Sequence, residues 1–115
     1  MKTESDAKQV TIYVNSTDQY HGRPLYAAIV QLCQEKEIAG ASVIRCLEGY
    51  GAHHKLHTPR LLELSQNLPV RIDIVDLSER IDPLLAELGG MIGEGLVVTI
   101  TPVHILRFLP GPQAS

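Results

Sequence analysis

The sequence predicts a single α+β domain with two helices laid on one face of an antiparallel sheet. Three observations carry that expectation. Apolar-rich, strand-like segments recur at Gln9 to Val14, Ser42 to Glu48, Val70 to Val75 and Leu96 to Thr101. Two segments with apolar residues at three-and-four spacing fall after the first and the third of these, as an amphipathic helix requires. A length of 115 residues, 44% hydrophobic and 20% charged, suits one globular core.

The elements follow in order. Residues 1–8 are polar and predict a loose N-terminus. Val10, Ile12 and Val14 then alternate with Thr11 and Tyr13 as a half-buried first strand. Asn15 to Arg23 reads as a polar loop, and Pro24 suits the first turn of a helix, where its missing N–H is no loss. Leu25, Ala28, Ile29, Leu32 and Cys33 form the apolar stripe of that helix, opposite Gln31, Gln34, Glu35 and Lys36. Gly40 is the expected left-handed terminator. Ser42 to Glu48 is the second strand and residues 49–67 a long loop, in which Thr58 and Pro59 predict a short helix from Pro59 to Leu64.

Val70 to Val75 is the third strand. Ser78 to Met91 is the second helix, with Asp76 and Glu79 as an acidic start and Ile81, Leu84, Leu85, Leu88 and Ile92 as its core stripe. Gly89 and Gly90 weaken its last turn by roughly 1 kcal/mol each relative to alanine, which predicts fraying. A Gly93-Glu94-Gly95 turn leads to the fourth strand at Leu96 to Thr101. Val103 to Phe108 then reads as a short fifth strand after Pro102, and residues 109–115 as a loose tail. The domain therefore spans 9–108 in the order β-α-β-β-α-β, the ferredoxin-like arrangement. Its second sheet face mixes Thr11, Tyr13, Arg71 and Asp73 with apolar residues around Val43 to Leu47 and Val97, a composition that suits packing against copies of itself.

Composition excludes several functions. Thirteen acidic against ten basic residues, a net charge of -3 and no Lys/Arg run argue against nucleic-acid binding. No stretch approaches the roughly 20 apolar residues that span a bilayer, and the polar start is unlike a signal peptide, so a cytoplasmic protein without membrane insertion is expected. Cys33 and Cys46 read as small core residues, not as a disulfide.

The most informative stretch is Glu48 to Arg60. Gly49, Tyr50 and Gly51 open it, His53, His54, Lys55, His57 and Arg60 follow, and no acid falls between Gly49 and Leu62. A long, locally basic loop in an acidic chain is where a ligand or partner is met. The competing reading makes the glycines a turn and the cations a solvated surface.

Placed in this element order, four segments resemble the PII-like proteins, and in particular a small bacterial family of PII-like domains of unknown function. They are Tyr20 to Tyr26, Ala39 to Arg45, Glu48 to Ala52 and Met91 to Val97. The resemblance implies a homotrimer with adenine nucleotides in clefts between subunits. It implies ligand contacts from Gly49, Tyr50 and Gly51, and from Gly93, Glu94 and Gly95, with Arg107 and His21 as further cleft residues. Glycines suit that role because they let backbone N–H groups approach an anion. Leu96 stands where PII proteins carry a phosphate-binding lysine, and Arg107 alone stands for a pair of arginines. ATP is therefore disfavoured, and a monophosphate, a cyclic nucleotide, another small anion or no nucleotide are the alternatives. No cofactor is required, and the 49–67 loop is expected to act on a protein partner such as a membrane transporter or channel.

The rival reading is a divalent-metal-binding trimer of the related CutA kind, with His53, His54 and His57 as ligands. Adjacent His53 and His54 point apart in regular structure, and no cysteine or carboxylate lies among them. An enzyme is not expected. Asn15 and Arg23 resemble the catalytic pair of acylphosphatases, but the glycine-rich cradle around such an arginine is missing, and no nucleophile–base spacing occurs.

Overall fold

The computed structural model describes residues 2–47, 68–93 and 97–108. They form six strands and two helices: β1 Lys2–Asn15, β2 Gln19–Tyr20, β3 Arg23–Pro24, α1 Leu25–Glu35, β4 Gly40–Arg45, β5 Pro69–Leu77, α2 Ser78–Met91 and β6 Val97–Phe108. β2 and β3 make a small hairpin. The other four strands form one antiparallel sheet in the order β4-β5-β1-β6, and the α+β, ferredoxin-like expectation holds.

Alternation sets the two faces of the sheet. Val10, Ile12 and Val14 of β1 stand opposite Ile74, Ile72 and Val70 of β5, and cross-strand partners share a face. All six are buried, with Leu25, Ile29 and Cys33 of α1 and Ile81, Leu84 and Leu88 of α2 packed over them. Each large apolar side chain so buried contributes roughly 1.5–3 kcal/mol. The opposite face is polar at its centre: Thr11 Oγ1 donates to Asp73 Oδ1 at 2.8 Å, and Arg71 Nη2 lies 3.0 Å from Asp73 Oδ2.

Several boundaries differ from the sequence expectation, each for a physical reason. β1 starts at Lys2, within the stretch expected to be loose, because Lys2 to Ala7 pair with Phe108 to Val103. β6 runs unbroken through Pro102, so no separate fifth strand exists there. An edge strand tolerates a proline whose missing N–H faces away from its neighbour. The polar loop before α1 contains a two-residue hairpin turn, with His21 at φ 51° and Gly22 at φ 79°. Two central residues with positive φ match the twist of paired strands. Pro24 is the N-cap of α1, one residue ahead of its first turn.

Gly40 does not terminate α1. The helix ends at Glu35, and Glu37 takes the left-handed conformation at φ 55°. The Ile38 N–H donates to the Cys33 carbonyl at 3.0 Å and the Glu37 N–H to the Gln34 carbonyl at 3.1 Å, the paired bonds of a Schellman ending. Gly40 instead starts β4 where the backbone comes close to β5: a Cβ there would sit 3.2 Å from Val75 Cγ1. The second helix has the expected bounds and continues through Gly89 and Gly90 to Met91.

Asp76 reads in sequence as part of an acidic helix start. It is in fact 2% exposed and joins three elements. Its Oδ1 accepts from the Leu77 N–H at 2.7 Å, and its Oδ2 accepts from the Ala39 N–H and from Arg80 Nε, both at 3.0 Å. Arg80 Nη2 donates in turn to the carbonyls of Lys36 at 2.6 Å and Glu37 at 3.1 Å. A carboxylate at the end of β5 thereby anchors α2 and the α1–β4 connection.

Candidate functional site

The sheet has two ends with different contents. β1 and β4 run toward one end, and β5 and β6 start there. That end gathers the β2–β3 hairpin, the start of α1, residues 45–47 leaving β4, Leu68 returning to β5, and Ile92 and Gly93 ahead of β6. Hydrogen bonds tie it together. The Leu25 N–H donates to the Asp18 carbonyl at 2.8 Å, the Ser16 N–H to the Leu68 carbonyl at 2.8 Å, and the Cys46 N–H to the Pro69 carbonyl at 2.9 Å. The Leu68 N–H donates to Ser16 Oγ at 3.0 Å. The two roots of the 48–67 segment are thus held by backbone bonds at the β4 side of this end.

Of the expected site residues, His21 and Gly93 lie at this end, and both are exposed. The His21 ring stands edge-on to Tyr20 with centroids 4.2 Å apart. Gly49, Tyr50, Gly51, His53, His54, Lys55, His57, Arg60, Glu94 and Gly95 lie outside the described residues, as does the short helix expected at Pro59 to Leu64. Arg107 pairs with Thr3 near the far end of β6. Ten residues separate it from Val97, about 33 Å of strand, so one chain does not bring Arg107 to Gly93.

The sheet order also separates the other two halves. β4, which precedes residues 48–67, and β6, which follows Gly93 in the chain, are opposite edges of the sheet. Three interstrand spacings, about 14 Å, lie between them. Two cations that sequence reading did not place in the site do stand here. Arg23, beside the start of α1, and Arg45, at the end of β4, are exposed and form no ion pair among the described residues. The signal that marks them is topological, because α1 packs on β4 and so brings both to one edge.

No group of three potential metal ligands occurs among the described residues. Burial pushes the Cys33 thiol up to about 11, so it is a core group and not a nucleophile. No helix among the described residues is long and apolar enough to cross a membrane.

A four-stranded antiparallel sheet in this order, backed by two helices, is the fold of the PII-like proteins. The structure of CPII from Thiomonas intermedia K12, a nitrogen regulatory PII-like protein bound to ADP, AMP and bicarbonate, superposes with a TM-score of 0.66. The match covers 90% of this chain and 91% of that one at 16% identity. The apo form of CPII matches with a TM-score of 0.60 at 15% identity, over 93% and 99% of the two chains. The chain belongs to the DUF190 family, described as "Uncharacterized ACR", whose model matches residues 7–105. Relatives include a UPF0166 protein of Aquifex aeolicus, 30% identical over 86% of this chain and 92% of its own length. A UPF0166 protein of Methanocaldococcus jannaschii is 32% identical over 88% and 93%.

Proposed function

We propose that this chain is a PII-like regulatory protein that senses a small anionic ligand, an adenine nucleotide being the first candidate, and signals to a partner protein through residues 49–67. The observation that carries this reading is the gathering of Cys46 and Leu68, which flank the 48–67 segment, with His21, Arg23, Arg45 and Gly93 at one end of a PII-like sheet. Support comes from the bound ADP, AMP and bicarbonate of CPII. The exposed guanidiniums of Arg23 and Arg45 suit a phosphate or carboxylate, which they can grip through two parallel N–H donors. The 14 Å gap between the two edges favours clefts between subunits, as in a homotrimer. Loss of the phosphate lysine at Leu96 favours AMP or ADP over ATP.

Regulation requires the ligand to bind one state of the 49–67 segment better than another. The reading assigns no catalysis to the site, and a cytoplasmic target such as a transporter's inner face fits it. Calorimetric titration with AMP, ADP, ATP, cyclic AMP and bicarbonate tests it. AMP or ADP is expected to bind in the micromolar range and ATP more weakly. Replacing Arg45 with alanine should weaken the bound nucleotide about tenfold, the cost of one charged hydrogen bond. Failure of every one of these compounds to bind below millimolar concentration would refute the proposal.

A further inference from the structure

We infer that Ser16 is a positioning residue for the candidate site: its hydroxyl locks the turn that carries the Arg23 hairpin onto the start of β5 beside Arg45, and so holds the two guanidiniums in one frame for an anion. This rests on the regulatory reading above and deepens it by naming a residue on which affinity depends without contact with the ligand.

The bonding at Ser16 departs from an ordinary strand ladder. β1 and β5 pair from Ala7 opposite Leu77 to Asn15 opposite Pro69, so Ser16 and Leu68 occupy the next rung. Residues facing each other on a hydrogen-bonded rung normally exchange two bonds between N–H and carbonyl groups. Here the Ser16 N–H donates to the Leu68 carbonyl at 2.8 Å, but the Leu68 N–H donates to the Ser16 hydroxyl oxygen at 3.0 Å. The hydroxyl takes the place of a backbone carbonyl at the point where the chain leaves the sheet. Alanine supplies no such acceptor. Leu68 is buried, and a backbone donor left unpaired there loosens the local structure.

The turn that follows ties three elements together. The Asn15 N–H donates to Asp18 Oδ2 at 2.9 Å, and the Asp18 N–H to the Asn15 carbonyl at 3.1 Å. The Asp18 carbonyl accepts from the Leu25 N–H at 2.8 Å, which fixes the first residue of α1. Between Asp18 and Leu25 lies the hairpin, with Arg23 opposite Tyr20. On the other side of Ser16, Leu68 leads into Pro69, whose carbonyl accepts from the Cys46 N–H at 2.9 Å, and into Val70, which stands opposite Arg45. One bonded path thus runs from one arginine to the other, with the Ser16–Leu68 rung at its middle. Asp18 uses its carboxylate within the turn, whereas Ser16 uses its hydroxyl across to the β5 side. Two cations grip one anion well when their separation is set before the ligand arrives, because ordering them afterwards subtracts from affinity.

Amide hydrogen exchange and ADP calorimetry on Ser16→Ala and Ser16→Thr test the role. In ligand-free Ser16→Ala the Leu68, Leu25 and Cys46 amides should all exchange at least about fivefold faster than in the native protein, because the three belong to one unit. Acceleration at Leu68 alone overturns the inference. ADP affinity should fall about fivefold in Ser16→Ala, the loss of part of one hydrogen bond's worth, and return to within about twofold of native in Ser16→Thr, which keeps the hydroxyl. Adding Ser16→Ala to Arg45→Ala should weaken ADP no further, because a frame for two cations does nothing for one. An equal loss in the native and Arg45→Ala backgrounds, or unchanged affinity in Ser16→Ala, overturns the inference. If Ser16→Ala fails to fold, Ser16→Cys, a weak acceptor at the same place, replaces it. If the native protein binds no ADP, the regulatory reading fails, and the exchange pattern then decides whether Ser16 joins the two elements.

Discussion

Glu37 holds a left-handed backbone at φ 55°, a conformation that crowds the Cβ of any residue but glycine. Its side chain makes no contact that the ending of α1 needs, since the bonds there are all to backbone atoms. Glu37→Gly should therefore stabilise the fold by about 1 kcal/mol, and a melting temperature unchanged or lowered would count against this account. Cys33 makes a pH-dependent contribution. An ordinary thiol titrates near 9.0 and burial moves this one to about 11, so the folded state keeps its proton after the unfolded chain has lost it. The stabilisation is complete below pH 9 and falls as the pH rises to 11, by on the order of 2 kcal/mol. Urea midpoints of the native protein and of Cys33→Val should converge or cross over that interval, and parallel curves would reject it. The composition of 48–60 points to a binding loop, yet in sequence Arg23 stands out only beside Asn15 as an acylphosphatase-like pair, and Arg45 not at all. Isolated arginines resemble ordinary surface charges until α1 and β4 bring them to the same edge.

Among the elements, α2 shows what pattern reading does well and where it stops. Three-and-four spacing located its bounds, because a helix on a sheet must bury one stripe. Spacing could not show that Asp76 is buried, since a carboxylate before a helix is equally at home in solvent near its N-terminus. The carboxylate accepts three hydrogen bonds, one of them charged. Asp76→Asn should cost about 3 kcal/mol, the low end of the range for a broken buried pair, because Arg80 is partly solvated. Combined with Arg80→Gln it should cost less than the sum of the two, and strict additivity in a denaturant-based double-mutant cycle would show that the pair is not coupled. Pro83 offers a contrasting case in the same helix. It lies inside α2, where it removes the bond to the Glu79 carbonyl and its ring crowds that oxygen. Pro83→Ala is expected to raise stability by about 1–3 kcal/mol, measured by the same unfolding experiment.

At the scale of the whole molecule, Val43 and Ile44 on β4 and Val98 and Ile100 on β6 leave both edges of the sheet apolar and exposed, and the homotrimer proposed above would cover them. A protein stabilised by its own copies unfolds at a temperature that rises with protein concentration. The melting temperature of the native chain should climb over a hundredfold concentration range, and that of Ile100→Lys should stay flat. Equal behaviour of the two would mean that the edges carry no association.

Alternating and helical periodicities, read from the sequence alone, determined the strand and helix order, the core face and the glycine-rich basic segment, because each depends on neighbours within a few residues. They misplaced the ends of β1 and β6, whose pairing partners lie about a hundred positions away in the chain. Only the tertiary structure decided that Asp76 is a buried tie, that Glu37 and not Gly40 turns the chain after α1, and that Arg23 and Arg45 share an edge. It also decided that the β4 and Gly93 sides of the site stand on opposite edges of the sheet. The reason is physical: strand order is settled by which long-range pairings bury the most apolar surface, and no local pattern carries that information.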